Sequence, residues 1–323
     1  MEKVRKSYVL FMAVVITALV FAGFSSVSAE FPEHEITIVV PFNAGGASDM
    51  TSRIIATGLQ EELGQTVLVV NKPGGSGGVG MSEVRASKPD GYTISYIPVE
   101  IVMHETLELS DIVIEDFDYI GQMTLVPAAL TVPADAPYET VQDFIDYAKE
   151  HPGEVTIGNS GAGSIWHIAA TLLGEQAGVE FNNIMFDGAA PAVTALMGGH
   201  IDAVTVNSGE VLSGVQAGKL KILAIMTEER DPAMPDVPTM VESGFDVIIG
   251  GWGALGVPKG TPAEVLEKLS AALEKATATK EFSDFITQRG MIVHYSNTAD
   301  FAVFIEEQSE FFTNLLSNME LGG

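Results

Sequence analysis

The chain contains no cysteine. That excludes a disulfide framework, a thiolate metal site and a lipidated cysteine behind a leader, so the fold must rest on its core. Basic residues are scarce, with 16 Lys and Arg against 43 Asp and Glu, a formal net charge of −27. So acidic a chain repels phosphate backbones and anionic lipid, and neither nucleic acid nor a membrane surface is expected as a partner. A free anion would also be repelled at long range, although salt screens such a field over about 8 Å. Local donors must then do any anion binding. The six histidines, His34, His104, His151, His167, His200 and His294, form no H-x-H or H-E-x-x-H pair, which argues against a metal site; no metal and no cofactor is expected. There is no internal repeat and no low-complexity linker.

Long apolar runs are missing except at the start. Lys3, Arg5 and Lys6 precede the apolar stretch Val9–Phe24, and Val27-Ser28-Ala29 resembles an A-x-A cleavage site, so Met1–Ala29 reads as a secretory leader. A membrane anchor is the rival reading; Thr17, Gly23, Ser25, Ser26 and Ser28 favour cleavage. With 323 residues, 46% of them apolar, the chain is long enough for two domains.

The most informative stretch is Ile36–Val40, β-branched and apolar like a strand covered on both faces, followed by Pro41, Phe42, Asn43, Ala44, Gly45, Gly46, Ala47, Ser48 and Asp49. From Ser48 to about Leu63 the spacing of Met50, Ile54, Ile55 and Leu59 predicts a helix, with Ser48 or Asp49 as its cap. Such a junction aims free N–H groups and a positive helix end at the space above the strand, which suits an anion. Taken alone, Gly45-Gly46 is as well explained as a tight turn. The pattern recurs, however, at Val155–Ser164, which includes Ser160, Gly161 and Gly163, and at Met185–Pro191, which includes Gly188 and Ala189. Several helix N-termini can converge on one ligand. Trp166 and His167 fall in the first turn of the second helix.

Two other motifs point elsewhere. Gly75, Gly77 and Gly80 satisfy G-x-G-x-x-G with Glu100 downstream, but Gly80–Ser87 is too short for a dinucleotide-binding helix. Gly74, Ser76 and Gly78 satisfy G-x-S-x-G, so a secreted serine hydrolase using Ser76, with Asp246 and His294 as partners, is the alternative function. A loop with four glycines in five residues is too soft for a strained nucleophile turn.

Strands are predicted at Asp116–Gly121, Ala128–Val132, Asn183–Phe186, Ile201–Val206 and Lys221–Met226, and helices at Val141–Glu150 and Ala190–Met197. Thr261-Pro262-Ala263-Glu264 predicts a helix capped by Thr261 with Glu264 closing a capping box. Thr298 opens a last helix whose Phe301, Phe304, Ile305, Phe311, Phe312 and Leu315 are expected to pack in the core. Alternating strands and helices imply an α/β protein with mostly parallel sheets flanked by helices, and ligands of such sheets bind beyond the carboxyl ends of the strands.

In this order the motifs resemble the TctC/Bug-type solute-binding proteins of tripartite tricarboxylate transporters along the whole mature chain. The matching stretches are Ile36–Asp49, Asn71–Gly80 with Pro89–Tyr92, Gly158–His167, Gly188–Ala192, Ala217–Leu220, Pro235–Gly244 and Val257–Pro262. The resemblance implies a two-lobed periplasmic-binding fold of type II character, with residues 30–125 and 253–323 in one lobe and 126–252 in the other. It implies a cleft that closes over a small organic carboxylate, a di- or tricarboxylate, amino acid or aromatic acid, and membrane permease subunits as partners. The ligand would be held by backbone N–H groups and water at Phe42–Asp49 and at Ser160–Ser164, with Ala189 and Asn207 nearby, and without catalysis. Arg53 is expected to pair with Asp49 along its helix. Two departures from the family pattern are Asp187, where a basic residue is usual, and Val206-Asn207, where Asp is usual; Glu100 and Glu210 add acids near the cleft. If Asp187 or Glu100 faces the ligand, an amino group or a less charged acid is implied. If they face solvent, which is the reading preferred from sequence, the carboxylate class stands.

Overall fold

The computed structural model describes residues 31–231, 233–317 and 319. The leader reading, Met1–Ala29, lies outside these residues. Five apolar residues at Ile36–Val40 form strand β1, which lies between β2 (Val67–Asn71) and β3 (Thr93–Pro98) and parallel to both. β3 meets β9 (Gly250–Pro258) antiparallel, and β9 runs antiparallel to β4 (Phe117–Pro133). β4 also pairs antiparallel with β7 (Ala203–Asn207) and β8 (Leu220–Ile225); beyond β7 lie β5 (Thr156–Asn159) and β6 (Asn182–Met185), parallel to one another. β10 (Ile292–Asn297) pairs with β4 antiparallel. The α/β expectation is met with one refinement: parallel strands form the two outer wings, and the strands that join the wings are antiparallel.

β4 is the shared element. Its residues Phe117–Pro127 pair with β9 in the first wing, whereas Ala128–Pro133 pair with β7 and β8 in the second. The two strands predicted at Asp116–Gly121 and Ala128–Val132 are thus one strand of 17 residues. Gln122 and Thr124, which lie between the two predicted strands, are fully buried within the ladder. Tertiary pairing overrides local pattern there.

Helices cover the wings. α1 (Ala47–Leu63) follows β1, α2 (Gly78–Arg85) precedes β3, and α3 (Val141–Glu150) begins with the reciprocal Thr140–Asp143 capping box. α4 (Ile165–Ala177), α5 (Ala189–Met197) and α6 (Ser208–Gln216) belong to the second wing, while α7 (Ala263–Thr277), α8 (Lys280–Thr287) and α9 (Thr298–Leu316) complete the chain. Among the described residues no helix is long and apolar enough to cross a membrane.

Three local expectations need correction. α1 is entered from Gly46, in extended conformation, rather than from Ser48 or Asp49; the Asp49 carboxylate instead accepts from Gly45 N–H at 3.0 Å. The predicted Asp49–Arg53 pair is present at 2.8 Å. Thr261 does not cap α7, because its hydroxyl donates to the Pro258 carbonyl at 2.8 Å, and Pro262 occupies the cap position without a side-chain bond. In α9, Phe301, Ile305 and Phe312 are buried, but Phe311 is 49% exposed and with Phe304 lines an apolar surface groove beside Ile248 and Ile292. The aromatic stripe is wider than the core face it covers.

α1 and α7 pack closely because Gly58 faces Ala276: a Cβ on Gly58 would stand 2.7 Å from the Ala276 Cβ. Backbone separation has to increase to admit any larger residue. Gly58→Val is expected to destabilise the protein by about 1–3 kcal/mol through overpacking, measured by urea unfolding.

Candidate functional site

Strands β1, β5 and β6 each run through a short loop into a helix: α1, α4 and α5 respectively. The first N–H groups of a helix have no acceptor within it, and its N-terminus carries a partial positive charge. All three helix starts border one narrow cavity, in which the centre of a water-sized sphere has ≈ 50 Å³ of free space. Phe42, Asn43, Gly46, Ala47 and Ser48 line it from the first wing, and Ser160, Gly188 and Ala189 from the second. A neighbouring cavity of ≈ 260 Å³ shares Phe42, Ser160 and Gly188 and is bordered by the Pro73–Gly77 loop, Gly161 and Asp187.

The other residues expected at the site support this wall from behind. Ala44 and Gly45 are exposed on the loop and do not line the cavity. Asp49 is buried; burial pushes its carboxyl up, but bonds from Arg53, Gly45 N–H and Asn71 outweigh that and hold it below the usual range. Ser164 caps α4 by accepting from His167 N–H at 3.3 Å, and His167 Nδ1 accepts from Gly163 N–H at 3.1 Å, so these three residues set the loop rather than the cavity surface. Asn207 donates to Pro127 O at 3.1 Å and Gly290 O at 2.8 Å, fastening α6 to β4. Asn43 donates from Nδ2 to the Asp187 carbonyl across the cavity, and the Ser76 hydroxyl donates to Ala162 O at 2.7 Å. The two wings are therefore drawn together at the rim.

Sequence reasoning missed the floor of the cavity. Tyr96, at the end of β3, and Trp252, on β9, are buried there, with Val126 of β4 beside them. No local motif marks them, since they reach the site only through sheet pairing. Trp166, which the sequence placed in the first turn of α4, also lines it.

The charged residues decide the electrostatics. Glu210, in the first turn of α6, accepts from Ala47 N–H at 2.9 Å with Oε1. Glu100, in the turn after β3, accepts from Ile165 N–H at 3.2 Å. Each wing thus supplies a carboxylate to the helix N-terminus of the other. Burial pushes both carboxyls up to about 7, and the amide bonds offset only part of that desolvation. Glu210 Oε2 and Trp252 Nε1 are buried without a hydrogen-bond partner among the described residues. The Tyr96 phenol is raised first by burial, with the Ser48 hydroxyl opposing and the charges of Glu100 and Glu210 adding to the shift. Asp187 is exposed, but Glu100 lies in the cavity wall, which corrects the expectation that both face solvent.

The hydrolase alternative is not supported. The histidine beside Ser76 is His104, and its Nε2 meets the Ser76 carbonyl at 3.1 Å rather than the hydroxyl. His294 and Asp246 are exposed residues of β10 and of the segment before β9. Among the described residues no cluster of three or more His, Asp or Glu could hold a metal ion.

A carboxyl whose folded pKa is raised gives stability that is complete below its unfolded value near 4.5 and is lost as pH rises toward about 7. At about 1.4 kcal/mol per unit, Glu100 alone corresponds to about 3 kcal/mol. Glu100→Gln is expected to reduce the fall in unfolding free energy between pH 5 and pH 8, read from urea titrations at the two pH values. An unchanged fall would mean that Glu100 is hydrated in solution.

A family model described as the tripartite tricarboxylate transporter family receptor, TctC, matches residues 51–321. The protein BugT of Bordetella pertussis is 31% identical over 286 residues, covering 86% of this chain and 88% of its own. A ligand-free TctC solute-binding protein from Polaromonas is 39% identical with a TM-score of 0.67, the match covering 89% of this chain and 99% of that one. MatC from Rhodopseudomonas palustris, with bound malate, is 27% identical with a TM-score of 0.83 and coverage of 88% and 100%. The fold is that of the two-lobed periplasmic binding proteins. With the family model spanning most of its length, the chain belongs to the TctC family of tripartite tricarboxylate transporter receptors.

Proposed function

We propose that this protein captures a small organic carboxylate between two lobes and delivers it to the permease subunits of a tripartite tricarboxylate transporter. The lobes are residues 30–125 with 253–323, and residues 126–252. Residues 1–29 serve as the leader that directs export and is then cleaved. The observation that carries this reading is the convergence of three helix N-termini on a cavity whose lining contains no Lys, Arg or His. Carboxylate capture there rests on oriented N–H groups and not on an ion pair. The malate bound by MatC is an acid of the expected size.

Opening and closing centre on the two crossings Thr124–Ala128 and Gly250–Ala254. β4 changes partners there, Pro127 pairing with Gly250 and Ala128 with Asn207, so a small backbone rotation turns one wing relative to the other.

A thermal-shift screen of the purified protein against di- and tricarboxylates, amino acids and aromatic acids tests the function. Binding to the native state raises the melting temperature by mass action, and at a hundredfold excess over Kd the gain is about 2.7 kcal/mol. One acid is expected to raise the melting temperature by a few degrees. Gly46→Phe should abolish that rise, because even a Cβ at this position stands 3.1 Å from Glu210 Oε1. A screen without any shift would overturn the assignment.

A further inference from the structure

The supply of free N–H groups in the cavity is unequal. Of the three helix starts, α1 already has Ala47 N–H bonded to Glu210, and α4 has Ile165 N–H bonded to Glu100. α5 begins differently: its cap is Gly188, at φ 111°, with no side-chain bond, and Pro191 has no N–H. The amides of Ala189 and Ala190, both in the cavity wall, are left for a ligand. Ser48 and Trp166, the second residues of α1 and α4, also line the wall, but each follows an amide already taken by a glutamate, so α5 is the start that offers two adjacent amides to an anion. The same cavity wall holds two of the protein's own carboxylates, Glu100 and Glu210, and Glu210 has a buried oxygen, Oε2, with no hydrogen-bond partner among the described residues. Two carboxylates lining a narrow cavity repel a second anionic group and attract a donor.

On the carboxylate-binding reading above, we propose that the ligand is an amino acid type of zwitterion, its carboxylate on the Ala189 and Ala190 amides and its ammonium group against Glu100 and Glu210. Glu210 Oε2 then gains its missing partner, and the two glutamates become determinants of specificity. The phenol of Tyr96, close enough for both glutamate charges to act on it, helps close the ammonium position. A plain dicarboxylate would instead set its second carboxylate against Glu100 and Glu210, where it is repelled unless one of these carboxyl groups carries a proton. The adjoining cavity, lined by Leu109, Met185 and Phe186 among others, has room for a side chain beyond the shared Ser160 and Gly188.

Isothermal titration calorimetry with the purified protein decides this, using the proteinogenic amino acids and, for each that binds, the same acid without its amine: aspartate against succinate, glutamate against glutarate, alanine against propionate. The amine-bearing member is expected to bind at least tenfold more tightly, as a charge-assisted hydrogen bond to a buried carboxylate requires. Glu210→Gln and Glu100→Gln are expected to weaken the amino acid at least tenfold while leaving the deaminated acid unchanged or strengthened. Should either variant fail to fold, the paired ligands on the unmodified protein carry the test alone. If the deaminated acid binds as well as or better than its partner, the ammonium position is overturned and carboxylate capture stands. If no acid and no amino acid binds, the proposed function falls as well.

Discussion

The structure depends on the unsatisfied N–H groups at the starts of helices that follow parallel strands. Such groups must find an acceptor when they are buried, because a missing hydrogen bond costs far more than a made one gains. In this protein the acceptors come from the opposite wing: Glu210 for α1 and Glu100 for α4. The contacts that complete the helices are therefore also the contacts that hold the wings together. On the proposed function, opening the cleft would expose both amides to water, which replaces the lost bonds, so that a ligand could tip the balance.

The same contacts bear on how a strongly acidic protein could hold an acid, as proposed above. The overall field is screened within about a Debye length, and what acts on a bound molecule is the arrangement a few ångströms away. That arrangement mixes signs, with the amides of α5 offering positive partial charge and two glutamates offering negative. A cavity of this kind discriminates by where the charges of the ligand lie, not by its total charge. Burial in this wall pushes both glutamate carboxyls up.

β4 gives the cleft its geometry. By pairing with β9 along one part and with β7 and β8 along the other, it carries both wings on one continuous backbone. Asn207 reinforces the crossing by bonding the Pro127 carbonyl and Gly290. Its position at the end of β7 thus serves the frame around the cavity. Asp49 has a comparable role under the first loop, tying Gly45, Arg53 and Asn71 together so that the Phe42–Ser48 segment keeps its shape.

How much could be read in advance follows from which forces are local. The strand at Ile36–Val40, the glycine turn after it and the three strand-to-helix loops depend on residues within a few positions of one another, and the sequence by itself determined them. It also determined that no cysteine chemistry and no basic clamp would be present. Several things depended on residues brought together from far apart, and only the tertiary structure decided them. Gln122 and Thr124 stay in a strand because β9 and β10 pair with it. Tyr96 and Trp252 join the site through neighbouring strands. Glu100 and Glu210 cap helices 65 and 163 residues away, because a carboxylate finds whichever buried N–H the fold presents, and no spacing rule connects residues across a closing cleft.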